Sequence, residues 1–235
     1  MLVYIVIGLI IFLAIALAIA NYAPAYFKSV YKKVDRYVFE EGYTTGDFAI
    51  YLREKTGYND ITFAKSNGGV ENCYFVPKSN TLVLNENTID SKSVASFAVF
   101  VHEFGHAIQH NSGNAKYKVL NIMSAISIIF GRLVLPFTLT GIILMLLSIN
   151  PEWIGYTLCI VGISIFVISF LVRLFTIFVE FEASRIGLDY LKEEGMDKKS
   201  LHLAKKLLKC AGLTYIGAFF ASILSWTFLV PKYKN

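Results

Sequence analysis

Apolar and polar residues are sorted along this chain into long blocks. Leu2 to Ala20 is a run of nineteen residues without a charge. Leu133 to Asn150 and Trp153 to Val172 are two more uncharged runs, and Leu213 to Val230 is a fourth, ending at Pro231. About 20 apolar residues in a helix cross the hydrocarbon layer of a bilayer, so the pattern predicts about four membrane spans. Arg132 and Arg173 stand at the outer ends of the two central runs, where a long side chain can reach the interface. Those runs are joined by Ser148-Ile149-Asn150-Pro151-Glu152-Trp153 and read as a hairpin that leaves and returns to one side of the membrane.

Between the first and second runs, residues 22–118 carry eleven Lys/Arg and ten Asp/Glu, the balance of a folded, water-facing domain. Tyr43 to Thr56 reads as a helix entered through Thr44, Thr45 and Gly46, with Phe48, Ile50, Tyr51 and Leu52 on its apolar side. Three strand-like runs follow, Ile61 to Ala64, Asn72 to Val76 and Thr81 to Leu84. Ser66-Asn67-Gly68-Gly69 and Pro77-Lys78-Ser79-Asn80 punctuate them as turns. Asp90-Ser91-Lys92-Ser93 announces a helix running through Ala95 to about His110. Residues 173–211, with eight Lys/Arg and six Asp/Glu, read as helical with a break at Gly195.

Composition agrees with a membrane protein: 55% of residues are hydrophobic and 17% charged. The net charge of +5 is placed beside apolar runs, so it speaks for membrane topology, and no nucleic-acid partner is expected. Lys28, Lys32, Lys33 and Arg36 follow the first run and no basic residue precedes it. It therefore reads as an uncleaved anchor, not a signal peptide, with the following segment in the cytoplasm. Lys232 and Lys234 pull against an outside C-terminus. Cys73, Cys159 and Cys210 lack C-x-x-C spacing and form no disulfide or zinc-finger pattern.

The chemistry lies in Val101-His102-Glu103-Phe104-Gly105-His106-Ala107. On a helix, residues four apart share a face, so His102 and His106 can meet one tetrahedral metal. Glu103 lies beside that face, where it can take a proton from water. A catalytic zinc needs a third protein ligand and an open position. The hairpin returns Val179-Glu180-Phe181-Glu182-Ala183-Ser184-Arg185 to the side of the motif. Glu180 and Glu182 lie about 200° apart on a helix, so only one can face the metal. His110, one turn past His106, reads as a rim residue. His202 and Arg185 are candidates for stabilising an oxyanion. Asn72 to Val76 or Thr81 to Leu84 offers an edge on which a peptide can dock by strand addition.

Tyr74-Phe75-Val76-Pro77, Leu82 to Leu84, His102 to Gln109 and Val179 to Arg185, in this order and spacing, resemble the YugP-type membrane zinc metallopeptidases, a neutral zinc metallopeptidase family related in motif to HtpX-like proteases. The resemblance implies one Zn2+ per chain held by His102, His106 and Glu180, with Glu103 as general base. In HtpX-like enzymes the third ligand opens an E-[YF]-x-A-D motif. Here Glu180-Phe181-Glu182-Ala183-Ser184 departs from it at the last position, where the usual Asp supports a ligand histidine, and Ser184 offers a shorter hydrogen-bond partner.

The expected molecule is thus a mainly α membrane protein with a cytoplasmic α+β, zincin-like and gluzincin-like catalytic domain, multi-pass in a bacterial cell membrane. Its parts are an anchor (1–21), a catalytic domain (22–118), a membrane-associated helix and hairpin (119–178), cytoplasmic helices with the third ligand (179–211), and a last span and tail (212–235). Its partners are the lipid bilayer and a polypeptide substrate, with room for a homo-oligomer or a regulatory membrane partner. Two alternatives are an intramembrane protease, which predicts the motif inside a full apolar run, and a membrane scaffold with a vestigial metal site. Polar His110-Asn111-Ser112 directly after the motif counts against the first.

Overall fold

The computed structural model describes residues 2–39, 43–67, 72–147, 151 and 153–224. Gly68-Gly69, most of the connector around Pro151, the last run beyond Leu224 and the side chain of Arg173 lie outside what is described. The chain is mostly helical, with one small sheet. In order it forms α1 (Leu2–Val34), α2 (Thr45–Thr56), β1 (Thr62–Ser66), β2 (Tyr74–Val76), β3 (Thr81–Asn85), α3 (Glu86–Ile89), α4 (Val94–Asn111), α5 (Ala115–Gly131), α6 (Val134–Leu146), α7 (Trp153–Glu193) and α8 (Lys198–Leu224). It divides into two units: Met1–Pro24, Val119–Ile177 and Thr214–Asn235 in one, Ala25–Lys118 and Phe178–Leu213 in the other.

Two stretches are long and apolar enough to cross a membrane among the described residues: Ile129–Leu146, in the first unit, and the helix Trp153–Glu193, which belongs to the first unit as far as Ile177. Ile142, Leu146, Ile160, Ile163 and Ile168 point outward from them, an exposed apolar surface that suits lipid.

The second unit is built around α4. Ser93 caps it, its hydroxyl accepting from the Ser96 amide at 3.1 Å while donating to Asp35 at 2.6 Å. Phe97, Phe100 and Phe104 recur every three or four residues, so they share one face, and all three are fully buried. Phe97 meets Phe39 edge-on at 4.9 Å, and Phe48 of α2 meets Phe100 at 5.9 Å. α2 starts at a reciprocal capping box between Thr44 and Asp47 and stops at Gly57, whose φ of 75° ends the helix. Its buried residues are Thr45, Phe48, Ala49 and Leu52, while Ile50 and Tyr51 are exposed. The expectation that both lie on the apolar side is corrected: Thr45, Phe48, Ala49 and Leu52 fall three, four and seven residues apart on one helical face, and that face leaves out Ile50 and Tyr51.

The sheet has the order β1-β3-β2. β1 runs parallel to β3 with Thr62 opposite Thr81, and β2 runs antiparallel to it with Phe75 opposite Leu82. β3 is paired on both sides, so the Thr81–Leu84 run cannot offer a docking edge; of the two strands considered, only β2 can. The turn Pro77–Ser79 ends at Asn80, with φ 48°. Asn80 and Asn111 exchange side-chain amide hydrogen bonds at 3.2 and 2.9 Å, which ties the sheet to the end of α4.

Candidate metal centre

Three side chains from α4 and α7 converge. The Nε2 atoms of His102 and His106 lie 3.2 and 3.3 Å from Oε2 of Glu180, and the three ligand atoms all fall within 4.8 Å of one another. What brings α7 this near is the lack of a side chain at two crossing points. A Cβ on Gly105 would stand 2.3 Å from the Ala183 carbonyl oxygen, and one on Gly187 would stand 2.4 Å from that of Val101. With the backbones this close, Glu180 and Ser184, four apart on one face of α7, reach the His102–His106 face of α4.

The donor set fits zinc. Two ligands each about 2.0–2.1 Å from a tetrahedral ion stand roughly 3.3 Å apart, which is the spacing found from the carboxylate to each imidazole. Both Nδ1 atoms are engaged elsewhere, leaving Nε2 to face inward. The Nδ1 of His102 is 3.0 Å from Ser184 Oγ, and that of His106 is 3.0 Å from Gln109 Oε1.

Gln109 is the residue that sequence reading missed. It is 1% exposed, and its Nε2 donates to the Val179 carbonyl at 3.2 Å and to Glu182 at 3.5 Å. The available signal was its position three residues after His106 on the same helix. Glu182 thus sits behind the histidines, bonded to Gln109.

Glu103 lies beside the ligands, and its Oε2 accepts a hydrogen bond from the Phe75 amide at 3.0 Å. That amide points off the edge of β2 away from β3, which pairs with no other strand among the described residues. Burial pushes the Glu103 carboxyl up, against the pull of both imidazoles and the Phe75 amide. His106 is raised to about 9: burial disfavours its charged form, but the hydrogen bond and charge of Glu180 outweigh that. Tyr117 of α5 packs its ring 6.0 Å from that of His106, and burial, with the charges of Glu103 and Glu180, pushes its phenol up to about 12.

His110 faces the rim, its ring 5.6 Å from Phe75 and 6.2 Å from Tyr117. Arg185 is exposed and lines a cleft with Ser184, Asp189 and Lys205, and His202 is exposed on α8. Neither is part of the converging group.

Residues 9–232 match the model of a family described as "Putative neutral zinc metallopeptidase". The chain belongs to this family. A curated relative, "Putative membrane protease YugP" of Bacillus subtilis (strain 168), is 27% identical over 213 residues, 88% of each chain. No solved structure matches. Membership makes zinc the metal that the family implies for a His102–His106–Glu180 site.

Proposed function

We propose that this protein is a membrane-bound zinc endopeptidase that cuts membrane-associated or cytoplasmic polypeptides. The observation that carries this is the meeting of His102, His106 and Glu180 around one point, with the Glu103 carboxylate beside them. His102, His106 and Glu180 would hold one zinc; Gln109 Oε1, which can only accept, keeps the proton on His106 Nδ1, and Ser184 orients His102, so both Nε2 atoms face it. Zinc bound there supplies a Lewis acid that polarises a carbonyl and makes water more acidic.

Glu103 takes the proton from the attacking water and passes it to the departing amine nitrogen. Burial lifts its proton affinity, which suits a base working near neutral pH, and the Phe75 amide holds the carboxylate in place. The outer edge of β2, paired with no strand among the described residues, lies next to this base, so an extended peptide docked along it would carry its scissile bond past Glu103.

The topology belongs to the same proposal: four spans, with the second unit's residues on the cytoplasmic side and the polar His110-Asn111-Ser112 keeping the site out of the lipid core. The five-part division given by the apolar runs, from the anchor at 1–21 to the last span at 212–235, goes with it.

The test is metal analysis and casein cleavage by the full chain purified in detergent, wild type beside Glu103→Gln. One zinc per chain in both, with cleavage only in the wild type, supports the reading. Zinc without any Glu103-dependent cleavage sinks it and favours a scaffold with a vestigial site.

A further inference from the structure

Tyr117 stands at the metal centre with no task in that mechanism. Asn114 opens α5, its Oδ1 accepting from the amides of Lys116 at 3.0 Å and Tyr117 at 3.3 Å, which fixes Tyr117 in the first turn. Gly113, with φ 72°, supplies the reversal between α4 and α5 that folds this turn back over His106. The Tyr117 ring lies 6.0 Å from the His106 ring at 36°, and meets His110 edge-on at 6.2 Å.

The residue as a whole is 8% exposed; its hydroxyl makes no hydrogen bond among the described residues and is not among the buried unpartnered atoms, so it opens to solvent-accessible space. The ring stands against His106, a ligand, and against His110 at the rim, so an unpartnered hydroxyl on it is available to a substrate bound at the centre. Arg185 and His202, the sequence's candidates for charge stabilisation, are both exposed and outside the converging group.

We propose that the Tyr117 hydroxyl donates a hydrogen bond to the substrate's carbonyl oxygen as that oxygen gains negative charge during attack by water. This rests on the peptidase reading above. The phenol keeps its proton throughout: only the hydrogen bond shortens, and no group is transferred. A donor fixed in place before the reaction, aimed at charge that develops in the transition state, lowers the barrier without reorganisation.

Tyr117→Phe keeps the ring against His106 and removes only the hydroxyl, whereas Tyr117→Leu removes both. The experiment uses the full chain in detergent with zinc bound and quenched fluorescent casein as substrate. It compares wild type, both Tyr117 variants and Glu103→Gln, and adds calorimetric binding of a phosphinic peptide, whose tetrahedral centre mimics the oxyanion.

Tyr117→Phe should retain zinc and melting temperature, lose kcat by about 10²–10³-fold with little change in KM, and bind the phosphinic peptide more weakly by a comparable factor. Equal kcat and equal phosphinic-peptide affinity would overturn the assignment. Loss of zinc or of melting temperature in Tyr117→Phe would also overturn it, by making the hydroxyl a structural group. Cleavage by wild type that is independent of Glu103, or no cleavage at all, would instead bring down the peptidase reading, and this assignment with it.

Discussion

Ser184 Oγ lies 3.0 Å from Nδ1 of His102, reaching from α7 to α4 at the position where the HtpX-like pattern has an aspartate. A histidine bonded at Nδ1 to a neutral hydroxyl is oriented, but it gains less basicity at Nε2 than one bonded to a carboxylate. Ser184→Ala should weaken zinc binding by about 10–100-fold, read by competition with a chelator. Ser184→Asp should match or exceed the wild type. Wild-type affinity in Ser184→Ala would mean that the hydroxyl does not support His102.

Gly105 faces the Ala183 carbonyl with no room for a methyl group. Gly105→Ala therefore forces α4 and α7 apart, at a cost of roughly 1–3 kcal/mol in overpacking. The same shift withdraws Glu180 from His102 and His106. The variant should lose both melting temperature and zinc, whereas Gly131→Ala, whose Cβ would meet nothing within 4 Å, should keep both. A Gly105→Ala protein with full zinc occupancy would show that the site does not depend on this close crossing.

These two contacts also mark how far the sequence could be read. The His102–His106 pair was legible because helical period alone puts residues four apart on one face. Choosing between Glu180 and Glu182 was not a local matter: it depends on which face of α7 meets α4, and that is set by Gly105, Ala183, Val101 and Gly187. The three strand runs were visible within a residue or two. Their order was not, because turn signals act between sequence neighbours, and the parallel pairing of β1 with β3 skips β2. Gln109 sat in plain view as a polar residue on a helix, yet nothing local distinguishes a side chain bridging His106 to Val179 from one facing water.

His106 and Glu180 give a pH signature. In the metal-free protein the His106 pKa is raised from 6.5 to about 9 by Glu180. A raised histidine contributes stability that is complete below its unfolded pKa and is lost as pH rises through the folded one. The chelated protein should therefore melt at progressively lower temperature from about pH 6.5 to 9. Zinc takes the place of that proton, so the zinc-loaded protein should show no such decline, and zinc binding at pH 7 should release protons. Calorimetry in buffers of different ionisation enthalpy measures the release; none at pH 7 would mean that the His106–Glu180 pair is already deprotonated.

The last prediction concerns the amide of Phe75, which donates to Glu103 at 3.0 Å. That bond lowers the carboxyl's proton affinity against the rise caused by burial. Phe75→Pro deletes the donor, and an edge strand tolerates proline where the missing N–H faces away from the sheet. Phe75→Ala keeps the amide and removes only the ring beside His110. The base must be ionised to act, so without the amide the acid limb of the kcat/KM profile should move to higher pH. Phe75→Pro should thus be impaired most in acid and recover as pH rises. Glu103→Gln, by contrast, should stay about 10²–10⁴-fold down at every pH. Phe75→Ala should leave the limb where it is, whatever it does to KM. An unmoved limb in Phe75→Pro would mean that β2 does not hold the base and that Glu103 is positioned by α4 alone.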